Sequence, residues 1–193
     1  MVDLARLNME IPEWANAPSL ELVARLEWRL RLSLPSDYRE FLAQHGGATL
    51  DAICEFQEPT PFEQTARFTQ FFGFMPEEHE LRDVEWNTDL IDGAPDVVAI
   101  AQDPYGGMYW LKCSGDDTGH VFYNDPDGRC SWTDEQFYQS FSNLAPEIER
   151  YLQLRREGLL PKKRNGYGNV YLVARSFTAL LQSLSPYSFD DEA

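Results

Sequence analysis

Hydrophobic and polar positions alternate with distinct periods along the chain. Between Ser19 and Leu30, Leu22, Leu26 and Leu30 recur every four residues with Val23 alongside. That spacing predicts a helix, with Ser19 able to cap it. A second predicted helix starts at Pro35, whose fixed φ suits the first helical position. Within it Tyr38, Phe41 and Leu42 share one face. Gly46 and Gly47 stop it, one of them taking the left-handed conformation past the helix end. Aromatic, strand-like runs follow at residues 50–56 and 68–74. Residues 76–89, "PEEHELRDVEWNTD", predict a helix whose first turn holds a proline and acids, favourable for the helix dipole.

The middle of the chain changes period. "DVVAIAQ", "GMYWLKC" and "GHVFYND" are short runs separated by "DPYGG" and "GDDTG", which predicts an antiparallel meander with glycine turns. In its middle strand Tyr109, Leu111 and Cys113 point one way, and Met108, Trp110 and Lys112 the other. Helical spacing returns at Phe137, Phe141, Leu144 and Ile148, behind a Thr133–Gln136 capping box. Pro146 divides this block into two helices, the second ending near Gly158. A basic loop, "PKKRNGYGN", leads to a strand, "NVYLVA". A short helix from Ser176 follows, with Phe177, Leu180, Leu181 and Leu184 on one face. This order predicts an α+β fold, with N-terminal helices packed on a mainly antiparallel sheet.

A length of 193 residues fits a single domain, and a chain of this size buries roughly 70% of its unfolded surface without staples. Charge adds more. The chain has 32 acids against 16 bases, a net charge of −16. That balance disfavours nucleic acid phosphates and anionic membranes, and favours fast encounter with a basic partner. An ordinary acidic protein accounts for the number equally well. The charge is also polarised. Residues 51–96 hold twelve acids against Arg67 and Arg82, a net of −10, whereas residues 129–175 hold five acids against eight bases, a net of +3. Glu77, Glu78, Glu80, Asp83, Glu85, Asp89 and Asp92 are therefore candidates for a partner-facing surface, against the alternative of a solvated helix face. Trp110 is a candidate interface anchor, because one alternating set on a two-faced sheet faces away from the main core.

A catalytic constellation does not emerge. His45 stands at a helix C-terminus, His79 lies on the acidic segment and His120 starts a strand, and no two share a short motif. Cys113, His120 and Cys130 come in order but lack the CxxC or HxxxH spacing of a zinc site. "DPDG" resembles a calcium loop. With Gly128 at the sixth position, however, Tyr123 takes the first ligand position and Asp134 the twelfth, so a sharp turn is the better reading. "GDDTG" lacks the lysine of a phosphate loop, and "PYGGMYW" reads as a tight hairpin. No metal or cofactor is expected. Cys54, Cys113 and Cys130 read as reduced thiols. The N-terminus carries no signal-peptide pattern, and no run approaches the ~20 apolar residues of a membrane span. A cytoplasmic location is the expectation.

The order of these segments resembles the SUKH superfamily, whose best-known eukaryotic members are yeast regulators of cell-wall synthesis. The matching pieces are "LPSDYREFLAQHGG", the later "FFGF", the meander "VVAIAQDPYGGMYWLKCSGDDTGHVFYND" and the closing "VYLVARSFTALLQSL". They occur in family order and span roughly residues 19–184. Two departures stand out. The chain reads "FYNDPDG" after the third meander strand, where members often carry a histidine or tryptophan. A helical block at about 131–164 replaces the short loop common there, and reads as an insertion whose surface could carry partner specificity. Bacterial relatives look mostly like immunity proteins. The resemblance thus implies a non-enzymatic protein, monomer or weak dimer, that occludes a toxin domain, with a basic, nucleic-acid-targeting enzyme the best fit to the charge. The rival it leaves open is an interaction module of the cell-wall-regulator kind with no toxin partner. A small-ligand or peptide binder, and an enzyme with a scattered site, are further rivals.

Overall fold

The computed structural model describes residues 5–12, 17–57, 65–76, 82–91, 94–125, 133–140, 143–144, 146–158 and 170–187. Two helices come first, α1 (Leu20–Leu30) and α2 (Ser36–His45). Ser19 caps α1 as its spacing predicts, its side chain accepting from the Leu22 N–H at 3.2 Å. Pro35 sits one residue earlier in its helix than expected: at ψ 140° it is the N-cap and Ser36 the first helical residue. Gly46 closes α2 in the left-handed conformation at φ 67°.

Seven strands form one antiparallel sheet among the described residues. They are β1 (Ala48–Glu55), β2 (Thr65–Phe71), β3 (Val97–Gln102), β4 (Met108–Lys112), β5 (Val121–Asn124), β6 (Val170–Ala174) and β7 (Ser185–Pro186), with spatial order β6-β5-β4-β3-β2-β1-β7. The predicted meander is β3–β5. Its first turn is braced from inside: buried Asp103 accepts from the N–H groups of Tyr105 at 2.7 Å and Gly107 at 2.8 Å, and from the Tyr123 hydroxyl at 2.7 Å. The two-residue β7 beside β1 was not legible in the pattern. Nor was the end of β2 at Phe71, where residues 68–74 read as one strand.

Alternation divides the sheet as expected. Tyr109, Leu111 and Cys113 join the main core with α1, α2 and α6 (Phe177–Ser183), whereas Trp110, Phe122, Val97, Val170 and Ala94 form a second cluster on the other face. α4 (Asp134–Ser140) and α5 (Pro146–Arg156) lie between β5 and β6 and share a third cluster of Phe137, Ile148 and Leu152. Thr133 and Gln136 make the reciprocal capping box, at 2.7 and 3.3 Å. Arg155 pairs with Asp134 across the two helices and lies over the Phe137 ring. Phe141, Cys130 and the loop at 161–169 lie outside the described residues.

The segments that carried the resemblance meet in space. Phe177, in the closing strand–helix unit, packs on Tyr38, Phe41 and Phe71 with ring centroids 4.9, 5.0 and 5.7 Å away. Asp37 reaches the same unit, its Oδ2 accepting from Thr178 N at 2.8 Å and Thr178 Oγ1 at 3.0 Å. The double glycine does more than stop α2. A Cβ on Gly73, within "FFGF", would lie 1.5 Å from the Gly46 carbonyl oxygen, and one on Gly47 would lie 2.8 Å from the Gly73 Cα. The Gly46 carbonyl accepts from Phe74 N at 2.8 Å, so the three glycines let two backbones touch.

Candidate partner interface

The Gly46–Gly73 junction sets where the acidic segment goes. Gly73 N donates to the Arg82 carbonyl at 3.1 Å, and the Gly73 carbonyl accepts from Val84 N at 2.9 Å. This fixes the start of α3 (Val84–Asp89) against the end of β2. The helix expected over 76–89 is thus shorter at its described end. Arg82 and Asp83 are not α-helical, because Asp83 is extended at φ −82°, ψ 134° and pairs with Gly73 as an isolated bridge. Residues 77–81, and with them Glu77, Glu78, His79 and Glu80, lie outside the described residues, as does Asp92.

The remaining acids of the candidate surface have separate roles. Asp83 caps α3: Oδ1 accepts from Glu85 N at 2.8 Å and Trp86 N at 3.0 Å, and Oδ2 from Met75 N at 3.0 Å. Glu85 pairs with Arg29 of α1 at 2.6 Å. Its burial pushes the carboxyl above the usual range, with the Arg29 guanidinium pulling the other way. Asp89 is exposed. Elsewhere in residues 51–96, Asp51 holds Arg67 through two hydrogen bonds of 2.8 and 2.7 Å, and Asp96 pairs with Lys112. Much of the described acidity is therefore already committed to caps and ion pairs. Sequence reasoning offered Glu85 as surface charge because its partner, Arg29, stands far off in the chain.

Trp110 is 7% exposed, packed with Val97, Phe122 and Val170. The residue offered as an interface anchor is therefore packed into this second cluster. Alternation does take it off the main core, but the second face of the sheet is itself covered. A different tryptophan is displayed. Trp28 on α1 is 79% exposed and neighbours Arg29, which reaches Glu85 on α3. A cleft separates the two helices, with Arg25 and Arg29 on one wall and Met75, Trp86 and Asp89 on the other. The outward position of Trp28 was legible in the four-residue period of Leu22, Leu26 and Leu30, which turns residue 28 away from the core.

The other groups weighed for chemistry are placed as follows. The Cys113 thiol is buried and pushed up to about 12, first by burial and then by Asp96, which disfavours the thiolate a nucleophile needs. Cys54 is buried and reduced. His120 Nδ1 lies 3.6 Å from Asp117. His45 packs its ring 5.1 Å from Phe41, and burial lowers its pKa below the ordinary value. Among the described residues, no three His, Cys, Asp or Glu side chains come together as a metal site. Among them, too, no helix is long and apolar enough to cross a membrane.

No curated protein and no solved structure matches the chain. A family model does. It covers residues 17–183, which contain α1, α2, the three-glycine junction, the meander and α6, the parts that hold the acidic segment and Trp28 in place. On that match the chain belongs to the SMI1/KNR4 (SUKH-1) family.

Proposed function

We propose that this protein is an immunity protein that binds a toxin domain and neutralises it by stoichiometric occlusion, without chemistry of its own. Family membership across residues 17–183 carries this reading. The net charge of −16 supports a basic partner, as expected of an enzyme whose cleft must attract phosphates. Its target-facing acids would be Glu77, Glu78, Glu80, Asp89 and Asp92, with Glu85 at the edge where Arg29 already engages it. In this reading acids set the association rate, and apolar contacts at the centre of the interface set the lifetime of the complex.

The test is rescue. If the gene beside this one encodes a large secreted protein, the C-terminal domain of that protein is expressed under an inducible promoter, with and without this chain. Survival only with this chain supports immunity. Failure to rescue, in the presence of soluble, folded protein, removes the assignment and leaves the regulatory interaction module of the same family. Reversing Glu77, Glu78 and Glu80 to lysine tests the acidic face separately. Slower association with a weaker salt dependence is the expected result.

A further inference from the structure

β1 is the longest described strand and lies next to the end of the sheet. β2 pairs along one edge of it. The other edge is covered piecemeal. β7 pairs with Ala52 and Ile53, and Tyr187 N donates to the Asp51 carbonyl at 3.0 Å. Earlier in the strand the cover is Glu10. Its N–H donates to the Thr49 carbonyl at 2.9 Å, and Thr49 N donates to the Glu10 carbonyl at 2.8 Å. Thr49 also pairs with Gln70 of β2, so Glu10 stands on the β7 side. A single turn of 3-10 helix, Ala5–Leu7, leads to Glu10 and ties it down. Leu7 is buried in the main core. Arg6 donates to the carbonyls of Leu181, Gln182 and Leu184 at 2.6, 3.1 and 2.5 Å. These lie at the C-terminal end of α6, where carbonyls lack helical partners and a cation suits the dipole. Leu184 immediately precedes β7, so the same strap steadies both pieces of cover. Both pieces come from outside residues 17–183, the segment shared with the family.

We propose that residues 6–10 guard the outer edge of β1 against strand addition, and that the segment they exclude is β1 of a second copy of this chain. An uncovered strand edge presents a row of N–H and C=O groups with which another strand pairs. β7 is a poor template, being two residues long with a proline that has no N–H to give. β1 is a good one: it is long, it alternates buried with more exposed positions, and it carries β-branched Thr49 and Ile53. Glu10 holds its place through its main chain, so the edge selects extended backbone rather than a particular side chain. β1 supplies such backbone in every copy, already ordered, and two identical edges pair antiparallel about a two-fold axis. Charge opposes the pairing. Each copy carries −16, and Asp51 and Glu55 stand exposed on the strand itself. Salt screens that repulsion beyond a Debye length of about 8 Å at physiological ionic strength, so release of the guard shows as self-association that rises with salt. Binding of a basic partner through acids falls with salt, and neither reading depends on the other.

The experiment is sedimentation velocity of the full chain and of its Arg6→Ala, Glu10→Pro double variant, over a range of concentrations at low and high salt. Glu10→Pro removes the N–H that reaches Thr49, and Arg6→Ala removes the grip on α6 and on the start of β7. Both residues are exposed, so the domain stays folded, which circular dichroism checks. The variant should dimerise about tenfold more tightly than the parent chain, and more tightly still at high salt. Hydrogen exchange then locates the contact. In the dilute variant the amides of residues 48–55 should exchange faster than in the parent, and they should regain protection as the dimer forms. The proposal is overturned if the variant stays monomeric at high salt, if the parent chain dimerises as tightly, or if the dimer protects another segment and not 48–55. Should the double variant not fold, Arg6→Ala alone decides, with an expected tightening of about threefold.

Discussion

α1 and α2 are nearly equal in length, pack on each other and use their surfaces in opposite ways. α2 gives Tyr38, Phe41 and Leu42 to the main core, sends Asp37 to α6 and ends on a glycine pressed against Gly73. α1 buries Val23 and Leu26 in full and leaves Leu20 and Trp28 in water. It is also tied to its neighbours by ion pairs, Glu27 to Arg39 at 3.3 Å and Arg29 to Glu85 at 2.6 Å. The contrast separates holding from showing. The stretch with the most distinctive sequence is the one most fully absorbed by packing, and the plainer helix beside it presents the exposed aromatic.

The most damaging way to break the α2 side is Gly73→Ala. The added Cβ would meet backbone at 1.5 Å, which no rotamer change relieves. A loss of about 3–5 kcal/mol in urea unfolding is expected, with a destabilised α3 in consequence. Gly106→Ala is the control. It has open space around its Cβ and only its φ of +91° to oppose it, so a cost of about 1 kcal/mol follows. Equal costs at the two sites would show that chain conformation, not backbone contact, explains Gly73. Next comes Asp37→Ala, which leaves Thr178 N and Oγ1 without their acceptor. About 2 kcal/mol should be lost, and Thr178→Val in the same background should add little further.

The uneven success of sequence reasoning has the same origin as this contrast. Ser19, the Thr133–Gln136 box, the glycine turns of the meander and the faces of β4 were legible because each rests on residues within a turn or a strand of one another. The Gly46–Gly47–Gly73 apposition, the Asp37–Thr178 tie and the Arg29–Glu85 pair were not. Each joins segments that no local period connects. The same gap explains the start of α3, where a long-range bridge from Gly73 holds Asp83 extended just before the helix. It also explains Trp110, whose direction was legible although its cover was not.

Smaller effects sharpen the comparison. Among the described residues the buried Tyr38 hydroxyl has no hydrogen-bond partner, and burial pushes its pKa well up. Tyr38→Phe removes that unsatisfied group while keeping the ring on Phe177. The variant should gain up to about 1 kcal/mol, measured by the urea midpoint at constant slope. A loss would mean that the hydroxyl has a partner.

His45, at the end of α2, gives a pH signature. Burial holds its pKa below that of the unfolded chain, so the unfolded state binds the proton more readily. Its contribution to stability is therefore complete above the unfolded value of about 6.5 and is lost as pH falls through and below it. His45→Gln should flatten the stability profile in that window, read from urea midpoints on either side. Smallest of all is Trp28→Ala, which should change stability by no more than about 0.5 kcal/mol because its side chain packs so little.

The measurement that bears most directly on the proposed function is calorimetric titration of this chain into a toxin domain from which it rescues cells, with that domain's activity followed in parallel. One-to-one binding is predicted, with activity falling in proportion to the chain added. Reversal of Glu77, Glu78 and Glu80 to lysine should weaken the complex while the urea midpoint of the free chain stays in place. Absence of a complex, or a complex that leaves the toxin active, would contradict it.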